Sequence, residues 1–205
     1  MTDKIKGILF DVGGVLVDLD GVPTLAKLLK IEESHEAIHA LWMTSSAVVA
    51  YETGKISATA FAAGVVADLN LPITPDSFWE NFCTWPNSVK PGAFQLFDAI
   101  PRRYRVAALS NTSAAHWDRI RAMGLAERFE TTYLSHEMGV LKPAAEAFLF
   151  ALRDLGFSPS EVVFLDDGAR NVDAARALGI NAHVVNNPLE AMVALEEYEI
   201  ISPRP

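Results

Sequence analysis

The sequence predicts an α/β fold: a doubly wound parallel sheet with a small helical cap inserted near its start. Three observations carry this. Short apolar runs of strand length alternate with amphipathic helical patterns over most of the chain. Four of these runs are nearly continuous in apolar residues, as suits strands buried on both faces of a parallel sheet. Residues 22–85 break the alternation and carry helical patterns alone.

The first strand is expected in "KIKGILF" (4–10). Four more follow: "YRVAALS" (104–110), "TTYLS" (131–135), "EVVFLD" (161–166) and "AHVVN" (182–186). Helices are expected between them. Residues 113–123 start after Asn111-Thr112 and stop at Gly124, residues 143–155 start on Pro143 and stop at Gly156, and residues 168–178 end at Gly179. The inserted region reads as helices near 22–30, 35–50, 57–69 and 75–84, punctuated by Gly54, Pro72 and Pro75. Hinges are expected near Asp18–Pro23 and Pro86–Pro91. The division is therefore a catalytic core of residues 1–17 and 87–205 and a helical cap of 18–86.

Composition narrows the function. The chain has 205 residues and a net charge of −9, from 17 basic and 26 acidic side chains. That balance disfavours nucleic acid and anionic membrane as partners, which call for a basic surface. A single cysteine, Cys83, rules out an internal disulfide and fits a reducing compartment. The weakly polar stretch 56–67 is too short to span a bilayer. A cytoplasmic protein is expected; the oligomeric state is not legible.

The chemistry-bearing residues fall just past strand ends, where open α/β sheets bind ligands. Asp11 follows the first strand, Ser110-Asn111 the second, Lys142 lies beyond the third, and Asp166-Asp167 close the fourth, with Asn171 a turn later. Each alone reads as a turn former, a cap or a solvated side chain. Their order and common placement say more. Adjacent carboxylates repel unless a cation sits between them. An Asp can attack phosphorus covalently, and a magnesium ion held by Asp11 and Asp167 would let two anions approach. Ser110, the backbone amides after it and Lys142 could hold the phosphoryl oxygens. Gly13 and Gly14 would let the backbone pass close to metal and phosphate.

These residues resemble the haloacid dehalogenase superfamily in its phosphatase branch, over essentially the whole chain. "FDVGGVLVD" is similar to its first motif, "LSNT" (109–112) to its second, "GVLKP" (139–143) to its third and "FLDDGARN" (164–171) to its acidic fourth. The resemblance implies Asp11 as nucleophile, Ser110 and Lys142 as catalytic and phosphate-binding groups, and Asn111 and Gly14 as further phosphate contacts. It implies Mg2+ on Asp11, the Gly13 carbonyl and Asp167, with Asp166 and Asn171 close behind. The helical insert corresponds to a C1-type cap, and the first strand should lie mid-sheet between those bearing Ser110 and Asp166. "YETGKIS", "LSHEMGVLKP" and "GFSPSEVVFLDD" resemble more narrowly the bacterial α-D-glucose-1-phosphate phosphatases, and also the phosphatase-like domain of mammalian soluble epoxide hydrolase. A small phosphorylated metabolite is the implied substrate.

One position departs from the superfamily. Most of its phosphatases carry a second Asp two residues after the nucleophile, as proton shuttle; here that residue is Gly13. General acid–base help is worth about 10²–10⁴ in rate. Three readings stay open: a phosphatase suited to good leaving groups, a metal-independent 2-haloacid dehalogenase, or a phosphate-binding protein without turnover. Asp20 and Glu52 are candidate substitutes for the shuttle, and Trp42 and Tyr51 are candidate cap contacts to substrate.

Overall fold

The computed structural model describes residues 5–202; Lys4, which opens the expected first strand and belongs to the expected core, lies outside the described residues, as do 1–3 and 203–205. Five parallel strands form the main sheet in the order β5–β4–β1–β6–β7. They are β1 (Gly7–Phe10), β4 (Arg105–Ser110), β5 (Thr131–Leu134), β6 (Val162–Asp166) and β7 (Asn181–Val184). As expected, β1 is central, flanked by the strands that bear Ser110 and Asp166.

Register explains why the polar residues meet. Phe10 lies opposite Ala108 on β4 and Leu165 on β6. One residue further along, Asp11 is level with Leu109 and Asp166, and its N–H still donates to the Leu165 carbonyl at 2.8 Å. The carboxyl ends of three adjacent strands thus deliver Asp11, Ser110 and Asp166 to one edge.

The period-two alternation of a strand feeds two cores. Ile8 and Phe10 face α6 (Ala93–Ala99), α7 (Ala114–Ala122) and α11 (Pro188–Glu197), where Leu96, Trp117, Ile120 and Leu195 pack. Leu9 faces α9 (Ala145–Leu155) and α10 (Ala169–Ala177), through Phe148, Leu152 and Val172. Helices on both faces bury the three central strands β1, β4 and β6 almost completely, which is why those runs lack alternation, whereas the edge strand β7 exposes Val184.

The inserted region holds five helices: α1 (Gly21–Leu29), α2 (His35–Trp42), α3 (Ser46–Glu52), α4 (Ala58–Asp68) and α5 (Pro75–Phe82). Ser34, Ser57 and Thr74 cap three of them through side-chain acceptors. The single helix expected over 35–50 is broken into α2 and α3. The break has a local cause. Thr44 donates its hydroxyl to the Leu41 carbonyl at 2.7 Å, competing with the helical ladder, and buried Ser45 donates to Asp68 Oδ2 on α4 at 2.7 Å, which ties the break to another helix. The segments expected as hinges also differ from plain linkers: β2 (Val17–Leu19) and β3 (Pro86–Val89) pair antiparallel. The sequence reading did not anticipate these two short strands, α6, α11 or the one-turn helix α8 (Ser135–Met138).

The insert has its own apolar centre, built on Phe61, Phe78, Phe82, Trp42 and Trp85. Trp42 packs 5.1 Å from Trp85 and 6.2 Å from Phe82 between ring centroids. It is only 6% exposed. The expectation that Trp42 faces substrate thus meets a side chain used for packing. Trp42→Ala should lower unfolding stability by about 3–5 kcal/mol, read by urea denaturation. A large change in KM at unchanged stability would contradict that assignment.

Candidate active site

The centre is a buried charge cluster. Asp11, Ser110, Lys142 and Asp166 are all buried, Asp166 fully. Asp11 Oδ1 accepts from the Val12 N–H at 2.7 Å and from Ser110 Oγ at 2.8 Å, and lies 3.2 Å from Lys142 Nζ. Lys142 Nζ donates to Asp166 Oδ2 at 2.6 Å. The other oxygen of Asp166 accepts from the Gly168 N–H at 2.7 Å and Asn171 Nδ2 at 2.9 Å. Asp11 Oδ2 takes no hydrogen bond among the described residues. One oxygen of Asp11 is therefore held and the other left for chemistry.

The charges do not balance within the protein. Carboxylate oxygens of Asp11, Asp166 and Asp167 all lie within 4.8 Å of one another. One ammonium, Lys142, faces three acids. Burial pushes Asp11 up to about 7; Lys142 opposes the rise, and Asp166 and Asp167 add to it. Asp167, at the solvent-facing edge, is also raised by partial burial and by Asp166. Burial alone would lower the Lys142 pKa, but the charges of Asp11 and Asp166 outweigh it and hold it above its ordinary value. A divalent cation beside Asp11 and Asp167 is the compensation this arrangement calls for.

The turn after β1 offers a further oxygen donor. Gly14 has φ +76°, and a Cβ there would fall 1.9 Å from Asp167 Oδ2. Both backbone groups of Gly14 are used: its N–H donates to the Val17 carbonyl and its carbonyl accepts from Lys90 Nζ. Among the described residues, no hydrogen bond takes up the Gly13 carbonyl oxygen. All-oxygen donors of this kind fit Mg2+.

Two of the expected phosphate contacts are placed differently. Asn111 spends its side chain on Lys142, accepting from the Lys142 N–H at 2.8 Å and donating to the Lys142 carbonyl at 2.9 Å. It fixes the lysine backbone, so any contact of Asn111 with phosphate falls to its main chain. Gly14 makes room for Asp167 instead of presenting an amide. Of the amides after Ser110, that of Thr112 is taken by Ser135 Oγ at 2.9 Å, while His136 Nδ1 donates to the Thr112 carbonyl at 3.0 Å.

The insert candidates make their contacts elsewhere. Tyr51 stacks on Phe61 at 4.3 Å, and burial raises the pKa of its phenol. Burial pushes the Glu52 carboxyl up to about 7, opposed by the neighbouring Trp42 side chain. Asp20 is exposed ahead of α1. The insert meets the sheet domain at several points. His116 on α7 donates Nε2–H to the Phe82 carbonyl at 2.8 Å and stacks on the Phe82 ring at 4.0 Å. Arg119 donates to the Pro86 carbonyl at 2.5 Å. Gly54 abuts the His136 carbonyl so closely that a Cβ would lie 2.4 Å from it.

Sequence reasoning missed Lys90. It lies just after β3, in a stretch read as a hinge, and no local pattern distinguishes it from a solvated lysine. Ser135 and His136 were likewise hidden, because only the β4–β5 pairing brings them beside Thr112.

The chain is similar to known proteins in sequence and fold. The family profile described as haloacid dehalogenase-like hydrolase matches residues 5–179. The D-ribitol-5-phosphate phosphatase of Bacteroides thetaiotaomicron is 28% identical over 195 residues, covering 89% of this chain and 93% of that protein. The N-acetylmuramic acid 6-phosphate phosphatase of Pseudomonas aeruginosa is 23% identical, covering 89% of this chain and 82% of that protein. The crystal structure of a family enzyme from B. thetaiotaomicron, in complex with magnesium and inorganic phosphate, superposes with a TM-score of 0.71 at 28% identity. That match covers 88% of this chain and 93% of the crystallised one.

Two outcomes follow from the geometry. Gly14→Ala must adopt a left-handed backbone, costing roughly 1–2 kcal/mol, and must also displace Asp167. The variant should bind Mg2+ at least tenfold more weakly by calorimetry. The second concerns His116, whose pKa burial pushes down to about 4 from 6.5. The unfolded chain takes up this proton first, so the stabilisation is complete above about pH 6.5. It is lost as pH falls toward 4, on the order of 3 kcal/mol at most. His116→Gln, which keeps a donor for Phe82, should remove that share of the acid-induced fall in urea midpoint.

Proposed function

The chain belongs to the haloacid dehalogenase-like hydrolase family, and from that membership we propose that it is an Mg2+-dependent phosphatase of small sugar phosphates. The observation that carries this reading is the Asp11 carboxylate itself. One of its oxygens is fixed by Ser110, Val12 and Lys142, and the other is free, at the edge of an acid cluster one cation short. The helical insert acts as the cap over this edge, and Asp11, Asp167 and the Gly13 carbonyl hold the metal. Magnesium, when bound, shields the two anions from each other and polarises the phosphoryl group.

Asp11 Oδ2 attacks phosphorus, the bond to the leaving oxygen breaks, and an aspartyl phosphate forms. Lys142 and the Ser110 hydroxyl neutralise the transferring phosphoryl oxygens. Asn111 and Asp166 keep the lysine in line, one through its backbone and the other through its ammonium. Water then cleaves the acyl phosphate and regenerates Asp11.

The leaving group narrows the substrate. Gly13 offers no acid, and the space its Cβ would take is filled by Leu19, whose Cδ1 lies 2.6 Å from that point. An apolar methyl stands where a proton would be delivered. Substrates that expel a stabilised oxyanion suit this site best, and an anomeric phosphate such as glucose 1-phosphate does so better than a primary alkyl phosphate. The relatives named for ribitol 5-phosphate and N-acetylmuramic acid 6-phosphate support the sugar-phosphate class. A metal-free dehalogenase fits poorly, because Asp166 and Asp167 without a cation would repel an anionic haloacid.

The assay is hydrolysis of p-nitrophenyl phosphate, glucose 1-phosphate, glucose 6-phosphate and ribitol 5-phosphate. EDTA should abolish turnover and Mg2+ restore it; Asp11→Asn should remove at least 10³-fold, the scale of losing a covalent nucleophile. Glucose 1-phosphate should exceed glucose 6-phosphate in kcat/KM. Activity that survives full chelation, or an active Asp11→Asn, would overturn the reading.

A further inference from the structure

Among the described residues, Lys90 is the one lysine besides Lys142 whose charge bears on the acid cluster, and it lies just after β3, the insert's return strand. Its backbone N–H donates to the Leu16 carbonyl at 2.8 Å. Its side chain crosses to the turn after β1: Nζ donates to the Gly14 carbonyl at 2.5 Å and to the Asn186 carbonyl, beyond β7, at 2.8 Å. Asp18 on β2 stands 3.7 Å away. One residue thus grips both strands at the base of the insert, the glycine turn and the loop leading into α11.

The grip has a chemical consequence because of what lies on the far side of Gly14. That residue packs against the Asp167 carboxylate with no room for a side chain. The Gly14 N–H, bound by Val17, fixes the Gly13–Gly14 peptide plane, and the Gly14 carbonyl, bound by Lys90, fixes the Gly14–Val15 plane that follows, so the two planes that meet at Gly14 have one orientation. That orientation leaves the Gly13 carbonyl oxygen unpaired and Asp167 beside it.

We propose that Lys90 is a positioning residue for the metal: by clamping the Gly14–Val15 peptide it holds Gly14 against Asp167 and so keeps Asp167 and the Gly13 carbonyl, on the adjoining plane, in ligand register, and it couples the insert's β2–β3 base to metal binding. The inference rests on the magnesium reading above. Metal and insert are then linked reciprocally. A metal that draws the turn tight stiffens the ladder at the base, and a ladder locked by closure of the insert favours the metal by the same factor.

The test compares wild-type protein with Lys90→Met, which keeps an apolar stem without donors, and Lys90→Arg, which restores donors to the carbonyls. Mg2+ affinity is read by calorimetry without substrate, and amide exchange is followed by mass spectrometry with and without Mg2+. Loss of a group that orients ligands typically costs 10–100-fold in metal affinity. Lys90→Met should show a loss of that size and Lys90→Arg should recover to within about threefold. Mg2+ should slow exchange in residues 17–19 and 86–90 of the wild type but not of Lys90→Met.

Circular dichroism of each variant separates a local effect from unfolding. If Lys90→Met unfolds, the exchange response and the affinity of Lys90→Arg carry the test, and an Arg variant that folds but binds as weakly as Gly14→Ala overturns the proposal. Wild-type affinity in a folded Lys90→Met overturns it while leaving the phosphatase reading intact. A wild-type protein that takes up no Mg2+ overturns the metal reading and this inference with it.

Discussion

A buried ammonium between two carboxylates is the constraint about which the rest of this structure is arranged. Lys142 has almost no contact with water and lies between Asp11 and Asp166. An ion in that position is tolerated only if its partners are fixed and its surroundings satisfied, because removal of one partner leaves an uncompensated charge costing about 3–5 kcal/mol. The fold meets this by holding all three from different directions. Parallel register places Asp11 and Asp166 side by side, and Asn111 pins the lysine through its own peptide groups.

That economy leaves a surplus of negative charge at the solvent edge, which the protein does not neutralise. Among the described residues Asp167 has no ion pair, and the Asp11 carboxyl is held far above its ordinary pKa. The energetic cost of gathering three acids is stored in the folded state and released when a cation arrives. The centre therefore discriminates by charge before it does so by shape. The insert adds shape through Tyr51 and Gly54, which lean on the loops after β4 and β5.

Much of this was legible in the sequence because each signal is local. Continuous apolar runs such as residues 161–166 mark strands covered on both faces, and an acid or hydroxyl directly after such a run marks the functional edge. Asp11, Ser110, Lys142, Asp166, Asp167 and Asn171 converge as the strand order requires. What the sequence hid depends on contacts across long separations. Lys90 acquires its role only when β3 returns beside β2, and Asn111 is turned from ligand to lysine by a partner 31 residues away. The break between α2 and α3 falls at the hydroxyl groups of Thr44 and Ser45, one of which reaches Asp68 on another helix.

The short β2–β3 ladder has a bearing on how this chain is assembled. Both ends of the helical insert leave the sheet domain at neighbouring hydrogen-bonded residues, Val17 opposite Val89 and Asp18 opposite Ser88. Seen from the sheet, some sixty residues occupy the place of a hairpin turn. Closing so long a loop costs only a few RT, since the entropy grows with the logarithm of length. The insert also has an apolar centre of its own, separate from the two clusters that flank the sheet. The chain thus crosses between the two parts only at this ladder, while the other contacts between them, such as His116 with Phe82, are made by side chains and loops away from the register that brings Asp11 to Asp166.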